Sequence, residues 1–291
     1  MRVREPVVAG QFYAGESDRC RAELSKLLQE PASNIDPDAR LLGGLVPHAG
    51  WTCSGAVAAK VFALLAAHSS ARTIVLFGAA HRFRGREAAL FGDGRWETPI
   101  GPVGIDKRLA ERILGQTNLI VDDPYAHADE HSIEVQMPFV AELFPEAKVV
   151  PITVPPVPNA HEVGQAVGRT LSSYKYDALI IGTTDLTHYG PNYGFTPQGV
   201  GAKGNTWAKE VNDQPFIELV CSMQSDKVVA EASKRKSACG AGAVAATLGA
   251  LSLLGASEGT LLQHTSSSEV LGGTQGEDMS DSVGYAAIVF T

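Results

Sequence analysis

Short apolar runs, each closed by glycine, proline or a polar residue, alternate along this chain with longer segments whose apolar residues recur at helical spacing. Residues 41–46 read LLGGLV and end in Pro47; 73–77 read TIVLF, 149–154 VVPITV and 177–181 DALII. Runs of this length and composition predict buried strands. Shorter or polar-edged strands are expected at 119–121, 260–265 and 283–290, and a β-rich excursion with Gly-Pro turns over 87–104. Between them the spacing predicts helices: Ser17, as N-cap, through Leu28 with Glu30-Pro31 as the stop; Ser54, as N-cap, to about Ala67; Asp106, as N-cap, to Leu114; about Ser132 to Leu143; and Asn159, as N-cap, to Ser172. Further helices fall at roughly 206–212, 214–223 and 225–235, and an Ala-rich helix opens at Cys239-Gly240-Ala241-Gly242 and runs to about Leu254. Residues 2–15 read as an extended arm pinned by Phe12 and Tyr13, while 31–40, 194–205 and the polar Gly/Ser stretch before the last strand read as loops. Strand and helix alternate throughout, which predicts an α/β fold with a mostly parallel central sheet and helices on both faces. With no internal repeat and no linker, a single domain over residues 1–291 is expected.

Three of the strands end alike. His48 follows Pro47, His81 follows Gly78-Ala79-Ala80, and His188 follows Gly182-Thr183-Thr184-Asp185 and Leu186-Thr187. Ligands in open α/β sheets bind beyond the carboxyl ends of the strands, so these histidines are expected to converge. A lone loop histidine is usually just a polar surface group. Two at strand exits, flanked by residues small enough to leave space for an ion, are better explained as metal ligands. Asp185 stands three residues before His188 and is expected to orient it or to bind a water, with His188 as general acid or base. His131 and Glu134 are read as walls of the same site.

Cys239 is the cysteine that stands out. At a helix start the dipole and free N–H groups favour a thiolate, against the ordinary fate of a free cysteine as a small buried hydrophobe. Cys53, five residues after His48, either points into the core as an inert thiol or brings a second thiol toward the same region. Cys20 and Cys221 fit the ordinary role, and the four cysteines contain no CxxC pair and no sign of a disulfide framework. His127-Ala128-Asp129-Glu130-His131 spells the H-x-x-E-H zinc-protease pattern. That pattern needs both histidines on one helix face, and apolar periodicity begins only at Ile133, so the match is accidental. His127, His68, His161 and His264 are read as surface or structural.

A formal charge of −8 argues against a nucleic-acid or anionic-membrane surface, and Lys234-Arg235-Lys236 is too short to offset it. No apolar segment of membrane-spanning length is apparent, and Arg2, Arg4 and Glu5 follow Met1 where a signal peptide would be apolar. A cytoplasmic location is expected.

With these residues in place the chain resembles the Memo family, the middle component of the AmmeMemoRadiSam set. The resemblance rests on REPVVAGQFY at 4–13, PHAGW-x-x-SG at 47–55, GAAH at 78–81, DEHSIEVQMPF at 129–139, TTDLTH at 183–188 and the Cys239 segment, in order over nearly the whole chain. Two departures are Cys53, where the family more often has Tyr, and Ala14, where Phe-Tyr-Pro is usual. The family is similar in fold to the class III extradiol dioxygenases. The resemblance implies that His48, His81 and Cys239 form the metal centre, Cys239 replacing the carboxylate of the dioxygenase two-His-one-carboxylate site. It also implies that His188 matches the dioxygenase acid/base histidine and His131 another active-site histidine. Two imidazoles and a thiolate are softer than the usual Fe(II) triad, so Fe(II) or Cu is implied, with Zn also suited.

These readings lead first to a non-haem iron- or copper-dependent redox enzyme acting on a small or peptide-like substrate, with His188, His131 and Asp185 as its acid–base and orienting residues. The radical-SAM and AMMECR-like members of the set would be its partners. A peptide- or partner-binding module with a structural or vestigial metal, and a zinc hydrolase, are the alternatives.

Overall fold

Alternate residues of the central strands enter two separate cores. Leu45, Val75, Phe77, Val150, Ile152, Ile180 and Ile288 pack on one face of the sheet, and Val46, Ile74, Leu76, Val149, Leu179, Ile181 and Val289 on the other. A strand buried on both faces needs apolar residues at every position, which is why these runs are continuous instead of alternating. The computed structural model describes residues 2–29, 35–36, 38–82, 85–275 and 279–291, with backbone only for 273–275. The Glu30-Pro31 helix stop and most of the 31–40 loop lie outside the described residues.

Among the described residues the main sheet has nine strands, in the order His188–Tyr189, Ser282–Phe290, Gly43–Val46, Ala178–Thr183, Thr73–Ala79, Lys148–Val154, Ala88–Leu90 and Ile120–Asp122, with Gly259–Ser266 paired to Ser282–Phe290. The four central strands, Gly43–Val46 to Lys148–Val154, are parallel, as the strand–helix alternation predicts. Antiparallel pairing begins where Ser282–Phe290 joins Gly43–Val46 and where Ala88–Leu90 joins Lys148–Val154. Helices cover both faces: Ala160–Tyr174 and Ala241–Leu254 on one, Ser17–Leu27, Trp51–His68 and Met137–Leu143 on the other. The connection through Trp51–His68 carries the chain two places along the sheet, and the one through Ala160–Tyr174 carries it two places back. Right-handed crossovers running in opposite directions place their helices on opposite faces. Ala178–Thr183 thereby fills the slot between Gly43–Val46 and Thr73–Ala79, and the carboxyl ends of all three meet at one edge.

The local expectations hold in outline and differ at helix ends. Asp106 caps Lys107–Leu114, accepting from the Leu109 N–H. Ser17 and Asn159 do not cap with their side chains: the first helix starts after Glu16, and Asn159 precedes Ala160–Tyr174 without a side-chain bond. Trp51–His68 begins three residues before Ser54, whose hydroxyl donates to the Ala49 carbonyl. The arm takes over there, because the Phe12 carbonyl accepts from the Trp51 N–H at 2.7 Å and so satisfies a donor that helix starts leave free. The segment after Ser132 opens as a 3-10 turn, Glu134–Gln136, before Met137–Leu143. Between the last two strands the polar stretch forms the helix Ser267–Gln275 where a loop was expected. Trp51–His68 also corrects the reading that no segment reaches membrane-spanning length. Its 18 residues have a mean hydropathy of 1.2. Val57, Val61, Phe62, Leu64 and Leu65 on it are buried in the core beneath the sheet.

His127 is structural. Its Nε2 donates to the Ala89 carbonyl at 2.9 Å, its Nδ1 has no hydrogen-bond partner among the described residues, and the rings of Phe91 and Trp96 enclose it. Burial pushes this imidazole down to about 4, and the Arg4 charge acts the same way. Between that value and the ordinary 6.5, the unfolded chain binds the proton that the folded one refuses, so stability falls as pH drops through this window. The loss is on the order of 3 kcal/mol by pH 4. Urea unfolding at several pH values should show it, and His127→Gln should flatten the pH dependence by about that amount.

Candidate metal centre

The parallel register that pairs Val46 with Thr183 sets the first part of the site. It brings Pro47-His48 alongside Thr184-Asp185, and His48 is fastened there at both backbone and ring. Its N–H donates to Asp185 Oδ1 at 2.7 Å, and its Nδ1 lies 2.9 Å from Thr183 Oγ1. With Nδ1 engaged, Nε2 is the nitrogen left to face outward, and it lies 3.1 Å from Cys239 Sγ. Cys239 arrives from the far end of the chain because the turn before Ala241–Leu254 presses on the same strand exit. The Cys239 N–H donates to the Asp185 carbonyl, and the Gly240 N–H to Thr184 Oγ1. Glycine is required at 240: a Cβ there would stand 2.3 Å from the Thr183 carbonyl oxygen.

His81 lies just past Thr73–Ala79 and is held by Glu130. Its N–H donates to Oε2 at 2.8 Å, and its Nδ1 lies 3.0 Å from Oε1, which leaves Nε2 available. The same carboxylate accepts from the Ser132 N–H. Next to it, the His131 ring stacks on His81 at 4.8 Å and 7°, with the Phe12 ring edge-on at 5.1 Å. The His48 ring is 5.2 Å from His81 and 5.6 Å from His131, nearly perpendicular to both. His48 is buried, whereas the side chains of His81 and His131 are 30% and 26% exposed, so the cluster opens to solvent on their side.

Burial and the charges of His81 and His131 hold the His48 imidazole well below its ordinary range, in the neutral form that can donate a lone pair. Burial also pulls His81 down, but the Glu130 hydrogen bond and charge outweigh it and leave His81 raised. Glu130 responds in kind. Against burial, the His81 imidazole and the N–H groups of Ser132 and His81 hold its carboxyl well below the usual carboxylate range. At Cys239 the structure corrects the helix-start argument. Burial, and then the Asp185 carboxylate, push the thiol up, so the helix start does not by itself yield a thiolate. Burial raises Asp185 as well, although the His188 charge and the His48 and Ala49 N–H groups pull against it.

Two groups of donor atoms therefore share His48, one with His81 and His131 and one with Asp185 and Cys239, each within 4.8 Å. His81 and Cys239 both neighbour His48 but do not fall in one such group among the described residues. His188 stands to the side. Its Nδ1 bonds the Leu186 carbonyl at 3.0 Å, and its ring meets Tyr193 edge-on at 5.0 Å. Asp185 bonds the backbone of His48 and not the His188 ring, so its orienting role falls on His48.

Glu134 is not a wall residue but a buried anchor for the arm. It accepts from Arg4, from the Val7 and Val8 N–H groups and from the Tyr13 hydroxyl. The H-x-x-E-H spelling is accidental in space too, since His127 faces the Ala89 carbonyl and Glu130 serves His81. Cys53 lies beside Tyr285, its thiol raised by burial, and all four cysteines are free. The sequence reading missed Glu130 and Thr183. Glu130 is the residue just before His131 in a stretch without periodicity, and nothing in its spacing links it to His81, 49 positions away.

The profile of the Memo family, described as Memo-like protein, matches residues 4–289. A MEMO1 family protein of Methanopyrus kandleri is 34% identical over 298 residues, covering 99% of this chain and 98% of its own length. One of Pyrobaculum aerophilum is 32% identical, covering 100% and 99%. One of Methanothermobacter thermautotrophicus is 33% identical, covering 98% and 99%. In fold, the chain is similar to the crystal structure of an uncharacterized protein of Escherichia coli K12, with a TM-score of 0.53 and 11% identity over 87% of this chain and all of that one.

Carboxylate partners of ligating histidines typically change metal affinity 10–100-fold. Glu130→Gln should therefore weaken metal binding by about that factor while the protein stays folded. Metal titration against a competing chelator, with circular dichroism as the control, measures it.

Proposed function

Since the chain belongs to the Memo family, we propose that it is a metal-dependent redox enzyme whose ion, iron or copper, is held by His48, His81 and Cys239. The observation that carries this reading is the approach of His48 Nε2 to Cys239 Sγ at 3.1 Å, with His48 Nδ1 already engaged by Thr183. The donor set suits such an ion. His48 is neutral and His81 is backed by a carboxylate, the usual support of a ligating imidazole. Burial and Asp185 both favour the protonated thiol, so a thiolate at Cys239 needs positive charge close by, which a cation shared with His48 would provide. Two imidazoles and a thiolate suit iron, copper or zinc. Bound there, iron or copper supplies Lewis acidity and one-electron chemistry.

The chain's own residues do the rest. Thr183 and Glu130 fix the two rings through Nδ1, so that Nε2 of each is the nitrogen turned to the site. Asp185 ties the His48 backbone to the neighbouring strand exit. His188, with Nδ1 on the Leu186 carbonyl, keeps Nε2 free to take up or release a proton. A small or peptide-like substrate enters from the side where His81 and His131 are exposed, and Phe12 lies at that opening.

Protein purified without oxygen should carry about one equivalent of iron or copper and consume oxygen when offered candidate substrates. His48→Ala should lose the metal. His188→Ala should keep the metal and lose turnover. A His48→Ala protein with undiminished metal would overturn the centre, and zinc as the sole metal with no oxygen uptake would overturn the redox assignment in favour of hydrolysis.

A further inference from the structure

His48 is shared between two donor groups, and the second is not the one that the strand-exit pattern points to. Cys239 and Asp185 lie on one side of His48, and His81 and His131 on the other. Asp185 is already engaged by the backbone of His48 and Ala49, which leaves it poorly placed to act as a ligand. His131 is different. Its ring lies parallel to that of His81 at 4.8 Å, and the His48 ring stands at 87° to one and 88° to the other. Glu130 Oε1 is 3.0 Å from His81 Nδ1 and 3.8 Å from His131 Nδ1, so one buried carboxylate faces the Nδ1 side of both rings. With Nδ1 of each ring toward the one carboxylate, Nε2 is the nitrogen that each ring has left to offer an ion. A carboxylate behind a ligating imidazole is the usual support of a metal-bound histidine, and here a single carboxylate stands behind two. Among the described residues the His131 ring makes no hydrogen bond, and its contact with Glu130 is electrostatic only.

We propose that His131 is a metal ligand, and that His48, His81 and His131 form an all-imidazole site that holds a divalent cation without Cys239. The inference rests on the reading of the His48 cluster as a metal centre and adds a second ligand set to it. The donor atoms lie within 4.8 Å of one another. Nitrogens bonded at about 2.1 Å to one tetrahedral ion stand about 3.4 Å apart, so the site closes with shifts of about an ångström and a turn of the His131 ring that lets its plane converge with that of His81 on the ion. Three imidazoles suit zinc, cobalt and Cu(II), whereas the thiolate set suits softer ions. An ion in this protein therefore has two arrangements that keep His48, one with sulfur and one without. Loss of Cys239 as a donor changes the ligand set instead of emptying the site.

Cobalt(II) is the probe, because sulfur ligation gives an intense near-ultraviolet charge-transfer band that imidazole ligation lacks. The parent protein, Cys239→Ser, His131→Phe and the double variant are titrated with cobalt, the bound metal is counted after gel filtration, and thermal melts confirm folding. Phenylalanine keeps the stack on His81 and the edge contact with Phe12 but offers no donor; His131→Gln repeats the test with a polar residue of a different shape. The parent and His131→Phe should show the sulfur band. Cys239→Ser should keep one equivalent of cobalt without the band, and either substitution at His131 in that background should abolish binding. A folded Cys239→Ser protein that takes up no cobalt overturns the proposal and leaves the thiolate centre standing. So does a double variant that binds cobalt as tightly as Cys239→Ser alone. A parent protein that binds no cobalt overturns the metal-centre reading itself.

Discussion

The site depends on how one imidazole is fastened. His48 is fixed by its backbone to Asp185 and by Nδ1 to Thr183, so its free nitrogen points at Cys239. These bonds exist only because Gly43–Val46 and Ala178–Thr183 are parallel neighbours in register. A one-residue slip would turn each strand's side chains to the other face and move the strand exit away from Asp185. Both sheet faces are buried, so a slip would also exchange the contents of two cores. The register that packs the molecule is thus the register that builds the site.

The other half of the cluster is held from the amino-terminal arm. Val3–Arg4 pairs with Arg95–Trp96, and the buried Arg4 side chain reaches Glu134 and the carbonyls of His127 and Glu130. Its guanidinium also lies 4.6 Å from the centre of the Trp96 ring. Breaking a buried ion pair from one side costs about 3–5 kcal/mol, because the remaining charge has no water to turn to. Arg4 therefore fixes the turn that carries Glu130 and His131. The close approach of that turn to the sheet explains Gly78, where a Cβ would stand 2.4 Å from the Ile133 side chain. Phe12 completes the arrangement with one ring edge on His131 and a carbonyl on the Trp51 N–H.

The electrostatics point the same way. A cluster of three histidines and a cysteine within a few ångströms, partly buried, is costly for charged imidazoles and for a lone thiolate alike. The structure meets that cost by keeping His48 neutral, pairing His81 with Glu130 and favouring the thiol at Cys239. Metal binding takes neutral imidazoles and deprotonated thiols, so His48 already has the form that a cation would need, whereas Cys239 would have to release its proton.

The continuous apolar runs and the intervening helical spacing determined the α/β class, the parallel centre of the sheet, the helices on both faces and the Asp106 cap, because burial on both faces of a strand leaves its mark residue by residue. The small residues after the strands marked His48, His81 and His188 as strand-exit groups for the same reason. The motifs, taken as a set in order, determined the family. What the sequence could not state was distance between positions far apart in the chain. Glu130 as the support of His81, Arg4 as the partner of Glu134, the stacking of His131 on His81 and Asp185 on the backbone of His48 are meetings of segments separated by 49 to 137 positions. Tertiary structure also decided the protonation of Cys239. The sequence sees a cysteine before a helix, but the thiol answers to burial and to the Asp185 carboxylate, and both exist only once the strands have packed.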